Sequence, residues 1–287
     1  MSVPEMAASD YSDQTDGDAG SSKIALLISS CDDFCDTWRP FTYFFVKYWP
    51  DCPFQTFLIL NQLPVISDVL EPIAVGPDRG WASNLRQTLE RIPHEYILYL
   101  QDDHFLNRPV DTLRILRDCA WSIAHDADSL SFCGYREAQP GFARLTERFG
   151  LAPLDSKGRT RCQFAFWKKS ALLQILREGE TAWEMESRGS ERTREMKIVV
   201  YERKSDSPIS YLSSAIVRGL WKKEALEMCR AENIPIRPRL RGIYQQEQQF
   251  KKMRRALGRL VLRIWLRMRA RQPFDLRRAS VLPKLVT

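Results

Sequence analysis

Histidine is scarce in this chain, paired metal-binding cysteines are missing, and no apolar run is long. Only His94, His104 and His125 occur in 287 residues, and none lies in the second half. The seven cysteines, Cys31, Cys35, Cys52, Cys119, Cys133, Cys162 and Cys229, form no C-x-x-C pair and have no histidine at zinc-finger spacing. That excludes a zinc framework, and an odd count without regular spacing points to a reducing compartment. Cys31 and Cys35 stay open between a metal or redox pair and two buried packing residues. No stretch approaches the ~20 apolar residues that span a bilayer, and residues 1–22 lack the apolar segment of a secretory signal. The expected location is the cytoplasmic side. No helix-turn-helix, zinc-finger or RNP pattern occurs, so the basic tail alone would have to support nucleic-acid binding, and none is expected.

What is present suits one large α/β domain, with 44% hydrophobic residues. Residues 1–22 are rich in Asp, Ser, Gly and Ala and read as a disordered tail. A domain over 23–245 and a basic amphipathic extension over 246–287 are expected to follow. Between Phe250 and Ala279 stand eleven Lys and Arg against Asp275 alone, a net +10 that leaves −3 for the rest of the +7 chain. The basic balance therefore belongs to the tail. There Phe250, Met253, Leu257, Leu260, Val261, Ile264, Trp265 and Met268 recur at helical spacing opposite Lys251, Lys252, Arg254, Arg255, Arg259, Arg263 and Arg267. Such a helix suits the plane of an anionic membrane surface, through residues 250–271, or an apolar face docked on the protein itself.

Strand and helix patterns alternate through the domain, which predicts a mostly parallel sheet. Residues 23–30, 54–60, 72–75, 96–100 and 130–135 read as strands, and 159–168 as a strand leading into a helix over 169–178. Helices are expected over 37–48, from Gly80 to Pro93, over 110–124 and over 222–232. Residues 142–158 have weak periodicity and read as an insertion on the acceptor side.

The apolar run Tyr96, Ile97, Leu98, Tyr99, Leu100 ends in Gln101, Asp102, Asp103 and His104. A run that short, bounded by polar residues, reads as a strand buried on both faces. Open α/β sheets hold ligands at the carboxyl ends of such strands. Adjacent carboxylates there are costly unless a cation neutralises them, and Mg²⁺ or Mn²⁺ would also bind phosphate oxygens. The alternative is a turn in which both aspartates cap the next element.

Gly80-Trp81-Ala82-Ser83-Asn84-Leu85-Arg86 opens the helix that leads into this strand. Helix, hydrophobic strand and acidic cluster together resemble the core of GT-A glycosyltransferases, especially family-2-like bacterial enzymes of lipopolysaccharide and capsule synthesis. The resemblance covers residues 80–106 and departs at Gln101, which stands where the first Asp of Asp-x-Asp is usual. It implies a GT-A-like, Rossmann-like sheet flanked by helices. It also implies a Mn²⁺ or Mg²⁺ cofactor held by Asp103 with Asp102, and a nucleotide-sugar donor passed, with inversion, to a glycan or lipid-linked acceptor. Asp32 and Asp33 then belong to the nucleotide loop, with a helix cap as the alternative. Asn84 and Arg86 become candidates for nucleotide contacts, with a surface salt bridge as the alternative for the arginine.

Trp183-Glu184-Met185-Glu186 resembles the Trp-Glu-x-Glu segment of the same enzymes, with Gln163-x-x-x-Trp167 and Gly219-x-Trp221 at comparable places. It implies acceptor contacts at Trp183 and Gln163 and a general base at Glu184 or Glu186. The plain reading is a solvated helix start whose acids favour the dipole. Sugar-phosphate nucleotidyl transfer is the rival activity. It usually brings a Gly-rich basic loop after the first strand, and Ser29-Ser30-Cys31-Asp32-Asp33 has neither feature.

Overall fold

The computed structural model describes residues 22–133, 141–156, 158–244, 261, 264 and 273–277. Nine strands build one sheet: β1 (Ile24–Ser29), β2 (Gln55–Leu60), β3 (Glu71–Ala74), β4 (Tyr96–Gln101), β5 (Ser129–Ser131), β6 (Ala143–Arg144), β7 (Phe149–Leu151), β8 (Ala165–Lys168) and β9 (Ile198–Tyr201). Their order is β3-β2-β1-β4-β8-β5-β9-β7-β6. β3, β2, β1 and β4 are mutually parallel. β8 runs against β4 and β5, β9 is parallel to β5, and β7 runs against β9. The expected mostly parallel α/β sheet is therefore the architecture of the chain.

Every residue of β1 is buried, and so are the central four of β4. This explains their unbroken apolar sequence, since each face of the sheet carries its own core. One core gathers Leu26, Ile28, Leu98, Leu100 and Phe166 with α1 (Cys35–Tyr48) and α3 (Thr112–Ala124). The other gathers Leu27, Ile97, Tyr99 and Trp167 with α2 (Trp81–Arg91), α4 (Lys169–Ile175) and α5 (Ala182–Arg192). α1 buries Phe41, Phe44 and Phe45. At roughly 1.5–3 kcal/mol per buried large side chain, these rings hold the helix on the sheet without help from its ends.

The weakly periodic stretch after Phe142 is an edge hairpin of β6 and β7. It is tied to α3 through fully buried Asp118, which accepts from Arg148 Nη2 at 2.8 Å and from the Tyr201 hydroxyl. A late hairpin, Ile216–Val217 with Leu220–Trp221, precedes α6 (Lys223–Ala231) and α7 (Pro238–Arg241).

The expected tail over residues 1–22 lies outside the described residues except for Ser22. Of the expected helical extension, Val261 and Ile264 are described, both helical and exposed, and the rest of 250–271 lies outside them. Phe274–Asp275, placed in the extension by sequence, pairs in parallel with Val65–Ile66 of the domain. No helix among the described residues is long and apolar enough to cross a membrane.

Candidate active site

The carboxyl ends of β1 and β4, the start of α2, the start of α5 and the 214–219 loop enclose a cleft of about 390 Å³. Each contributes through its chain geometry. β4 stops at Gln101, so Asp102 and Asp103 leave the sheet where its edge opens. Gly80, at φ 89, makes the left-handed turn into α2 and has no neighbour within 4 Å where a Cβ would stand. The start of α2 carries no side-chain cap.

Asp102 is 5% exposed and Asp103 7%. One oxygen of Asp102 accepts from Ser30 Oγ at 2.7 Å and from Thr37 Oγ1 at 2.6 Å. Burial, and then the neighbouring Asp103 charge, push its carboxyl well above the ordinary range. Burial raises Asp103 as well, against the pull of the Ile216 N–H. Asp103 Oδ2 accepts from that N–H at 3.4 Å, while buried Oδ1 has no hydrogen-bond partner. His104 beside it is stacked on Tyr211, with ring centroids 4.7 Å apart. Burial lowers the imidazole to about 3, so it is neutral.

Asp103 lines the cleft, and a carboxylate oxygen without a hydrogen-bond partner is a donor that a hard divalent cation accepts. Among the described residues, no group of three or more His, Cys, Asp or Glu side chains is placed to hold a metal. A Mg²⁺ or Mn²⁺ ion would therefore have Asp103, with Asp102 behind it, as its protein side and would complete its shell with phosphate and water. The donor set fits such an ion.

The start of α5 also lines the cleft. Its two glutamates, adjacent in sequence pattern, have separate surroundings. Glu184 closes a capping box: its Oε2 accepts from the Thr181 N–H and Oγ1, both at 2.9 Å, and its own N–H bonds Thr181 Oγ1. It is half-exposed, and its carboxyl lies below the ordinary range because of those Thr181 bonds. Glu186 lines the cleft and accepts from the Cys162 N–H at 2.6 Å. Burial raises its carboxyl. Trp183 and Gln163 line the same end of the cleft, and Trp183 is 77% exposed.

The remaining sequence candidates divide. Asn84 lines the cleft and donates Nδ2 to Asp78 at 2.8 Å. Arg86 points away, with Nη2 bonded to the carbonyls of Leu173 and Leu176 at the end of α4. Asp32 gathers the N–H groups of Asn61, Gln62 and Leu63, so it fastens the loop after β2. Asp33 presents its carbonyl to Arg241 Nη2. Neither Asp32 nor Asp33 lines the cleft. Sequence reasoning missed Arg218, the one Lys or Arg among the described residues lining the cleft. It sits with Gly219 in the turn of the late hairpin, at φ 51 and φ 76, the left-handed pair of a type I′ turn. The -Arg-Gly- between Ile-Val and Leu-Trp was the available signal.

No family model matches the chain, and no curated protein is similar to it in sequence. Among solved structures, residues 1–349 of TarS from S. aureus align at 11% identity over 66% of this chain and 59% of that one, with a TM-score of 0.43. The chain thus spans about three-fifths of that TarS fragment. A cytidylyltransferase from Leptospira borgpetersenii aligns at 11% identity over 74% of this chain and 95% of that one, TM-score 0.44. A CMP:2-keto-3-deoxy-manno-octonic acid synthetase complexed with CTP aligns at 11% over 63% and 88%, TM-score 0.39. At these scores the likenesses assign no activity.

Proposed function

We propose that the chain transfers a sugar from a nucleotide-sugar donor to an acceptor hydroxyl, with inversion. The observation that carries this reading is one cleft lined both by a buried acidic pair and by Glu186 with an exposed tryptophan. Such transfer needs a stabilised nucleoside diphosphate leaving group, a base for the acceptor and a surface for the sugar.

The residues divide these tasks. Asp103 and Asp102 would hold Mn²⁺ or Mg²⁺, which when bound neutralises diphosphate charge. Arg218 would bond a phosphate oxygen from the hairpin turn. Glu186, fixed by the Cys162 N–H, would take the proton of the acceptor hydroxyl as its oxygen attacks the anomeric carbon. The diphosphate would leave toward Asp102, Asp103 and Arg218, and attack from the face opposite the departing group inverts that carbon. Trp183 and Gln163 would hold the acceptor, a glycan or a lipid-linked sugar. Sugar-phosphate nucleotidyl transfer is less well served. It must balance a triphosphate, and Ser29-Ser30-Cys31-Asp32-Asp33 after β1 carries no Gly or basic residue.

A thermal-shift and calorimetry panel of UDP, GDP, CDP and their sugar conjugates, with and without Mn²⁺, tests the reading. Tightest binding by a nucleoside diphosphate or its sugar ester supports it. Tightest binding by a nucleoside triphosphate, with pyrophosphate release on adding a sugar phosphate, overturns it in favour of nucleotidyl transfer.

A further inference from the structure

We propose that two late parts of the chain, Arg241 and the strap Phe274–Leu276, are positioning elements that clamp the first turn of α1 and thereby fix the Asp102 carboxylate for donor binding. The inference rests on the sugar-transfer reading above.

Four consecutive residues of that turn carry the argument. Asp36 receives both arms of Arg241, Nε at 3.0 Å and Nη2 at 2.5 Å. Thr37 donates to Asp102 Oδ2 at 2.6 Å. Trp38 donates its indole N–H to Ser30 Oγ at 2.7 Å, and Ser30 donates in turn to Asp102 Oδ2 at 2.7 Å. Arg39 donates Nη2 to the Asp275 carbonyl at 3.4 Å. The turn thus faces the acidic pair with its middle two residues and grips the two late segments with its outer two.

The strap is built into the fold. Phe274 and Asp275 pair in parallel with Val65 and Ile66, the Phe274 N–H bonds Pro64 O at 2.6 Å and the Leu276 N–H bonds Ile66 O at 2.8 Å. Leu276 is fully buried. Phe274 meets the Trp38 ring edge-on, with centroids 5.6 Å apart. On the other side Arg241, its side chain 6% exposed, reaches the Asp33 carbonyl and lies 4.8 Å over the Phe34 ring, which lines the cleft. Removing Phe274 takes away the ring that meets the Trp38 indole edge-on. The indole can then leave the rotamer that serves Ser30, and Asp102 loses one of its two hydroxyl donors. The rest of α1 is held by Phe41, Phe44 and Phe45, so the consequence is confined to the turn.

The test is a double-mutant cycle in the full-length chain, reading the Kd of UDP, GDP or CDP with Mn²⁺ by calorimetry. Phe274→Ala and Trp38→Phe, the second of which keeps a ring but removes the N–H, should each weaken the diphosphate that wild type binds by about tenfold. The double variant should be no weaker than either single one. Acceptor KM at saturating donor should not move. Arg241→Lys, which keeps the charge but loses the fork, should weaken binding too. If Phe274→Ala does not fold, Phe274→Leu, which keeps the apolar dock and loses the ring, takes its place in the cycle. Wild-type affinity in the strap variant, or additive losses in the double variant, overturns the positioning role. Failure of wild type to bind any of the three diphosphates overturns the sugar-transfer reading itself, and the wild-type control separates the two failures.

Discussion

Replacing Glu186 by Gln removes a charge and almost nothing else. The Cys162 N–H, now 2.6 Å from Oε1, still finds a carbonyl oxygen on the amide, so the α5 start and the cleft wall keep their geometry. What is lost is the ability to accept the acceptor's proton, an effect of about 10²–10⁴ in turnover, or about 3–5 kcal/mol of barrier. Donor affinity should stay within about twofold of wild type, because Glu186 bonds the Cys162 N–H and none of the residues assigned to the diphosphate. Glu184→Gln is the internal control. Its carboxylate serves Thr181, Gln is accepted at that capping position, and turnover should be unchanged. The pH profile adds a sign. A base works deprotonated, so turnover rises with pH through its pKa. Burial sets Glu186 above the ordinary glutamate range and Thr181 sets Glu184 below it. The acidic limb should therefore fall above ~4.3 and vanish in Glu186→Gln. The assay is steady-state release of nucleoside diphosphate at saturating donor. Glu186→Gln turning over within about threefold of wild type, or a limb below the glutamate range, would refute the assignment.

Three further outcomes are expected. Asp103→Asn should abolish transfer and the Mn²⁺ dependence of diphosphate affinity, while the metal-free variant melts at or above wild type. Burial raises the Asp103 carboxyl to about 6 in the folded state, so its charging costs stability as pH climbs from the ordinary aspartate range toward 6, and melting curves from pH 4 to 6 should show that decline in wild type and less of it in the variant. Arg218→Gly should relieve a left-handed non-glycine residue at φ 51 and stabilise the hairpin by up to ~1 kcal/mol, yet weaken nucleoside diphosphate binding about tenfold; unchanged affinity by calorimetry would remove Arg218 from the site. Finally, the basic face within 250–271 should sediment with anionic but not neutral vesicles, and R259E/R263E/R267E should lose several kcal/mol of that binding at roughly 1 kcal/mol per charge; equal binding to both vesicle types would reject an electrostatic membrane role.

The parts of the fold that sequence made plain are those whose burial is complete. β1 is apolar from Ile24 to Ile28 and β4 from Ile97 to Leu100 because both faces are covered, α1 is aromatic because most of it is buried, and α2 keeps its helical stripe because one face is buried. The edge hairpin β6–β7 escaped because its pairing with β9 depends on partners some fifty residues away, and neither strand has an apolar run to mark it. The strap escaped for the same reason: Phe274 has no local pattern that names Val65 as its partner. In the site, Asp103, Glu186, Trp183, Gln163 and Asn84 line one cleft. Asp32 and Arg86 turn toward distant backbone groups, three N–H groups and two carbonyls, that no linear spacing reveals. Glu184 and Glu186 differ only by which of them meets Thr181 and which meets Cys162.

The strap also bears on the order in which the molecule is made. During synthesis, β1 to β4 and the turn of α1 leave the ribosome long before residues 274–276 exist. The sheet can condense around Leu26, Leu98 and Phe44 while Trp38 still lacks its edge-on neighbour. Phe274 then closes on Val65 across more than two hundred residues, one of the longest loops the chain must close and among the slowest to form. A nascent chain would thus carry a sheet before it carries a finished acidic site. Translation itself would delay the first turnover until residues 274–276 have emerged.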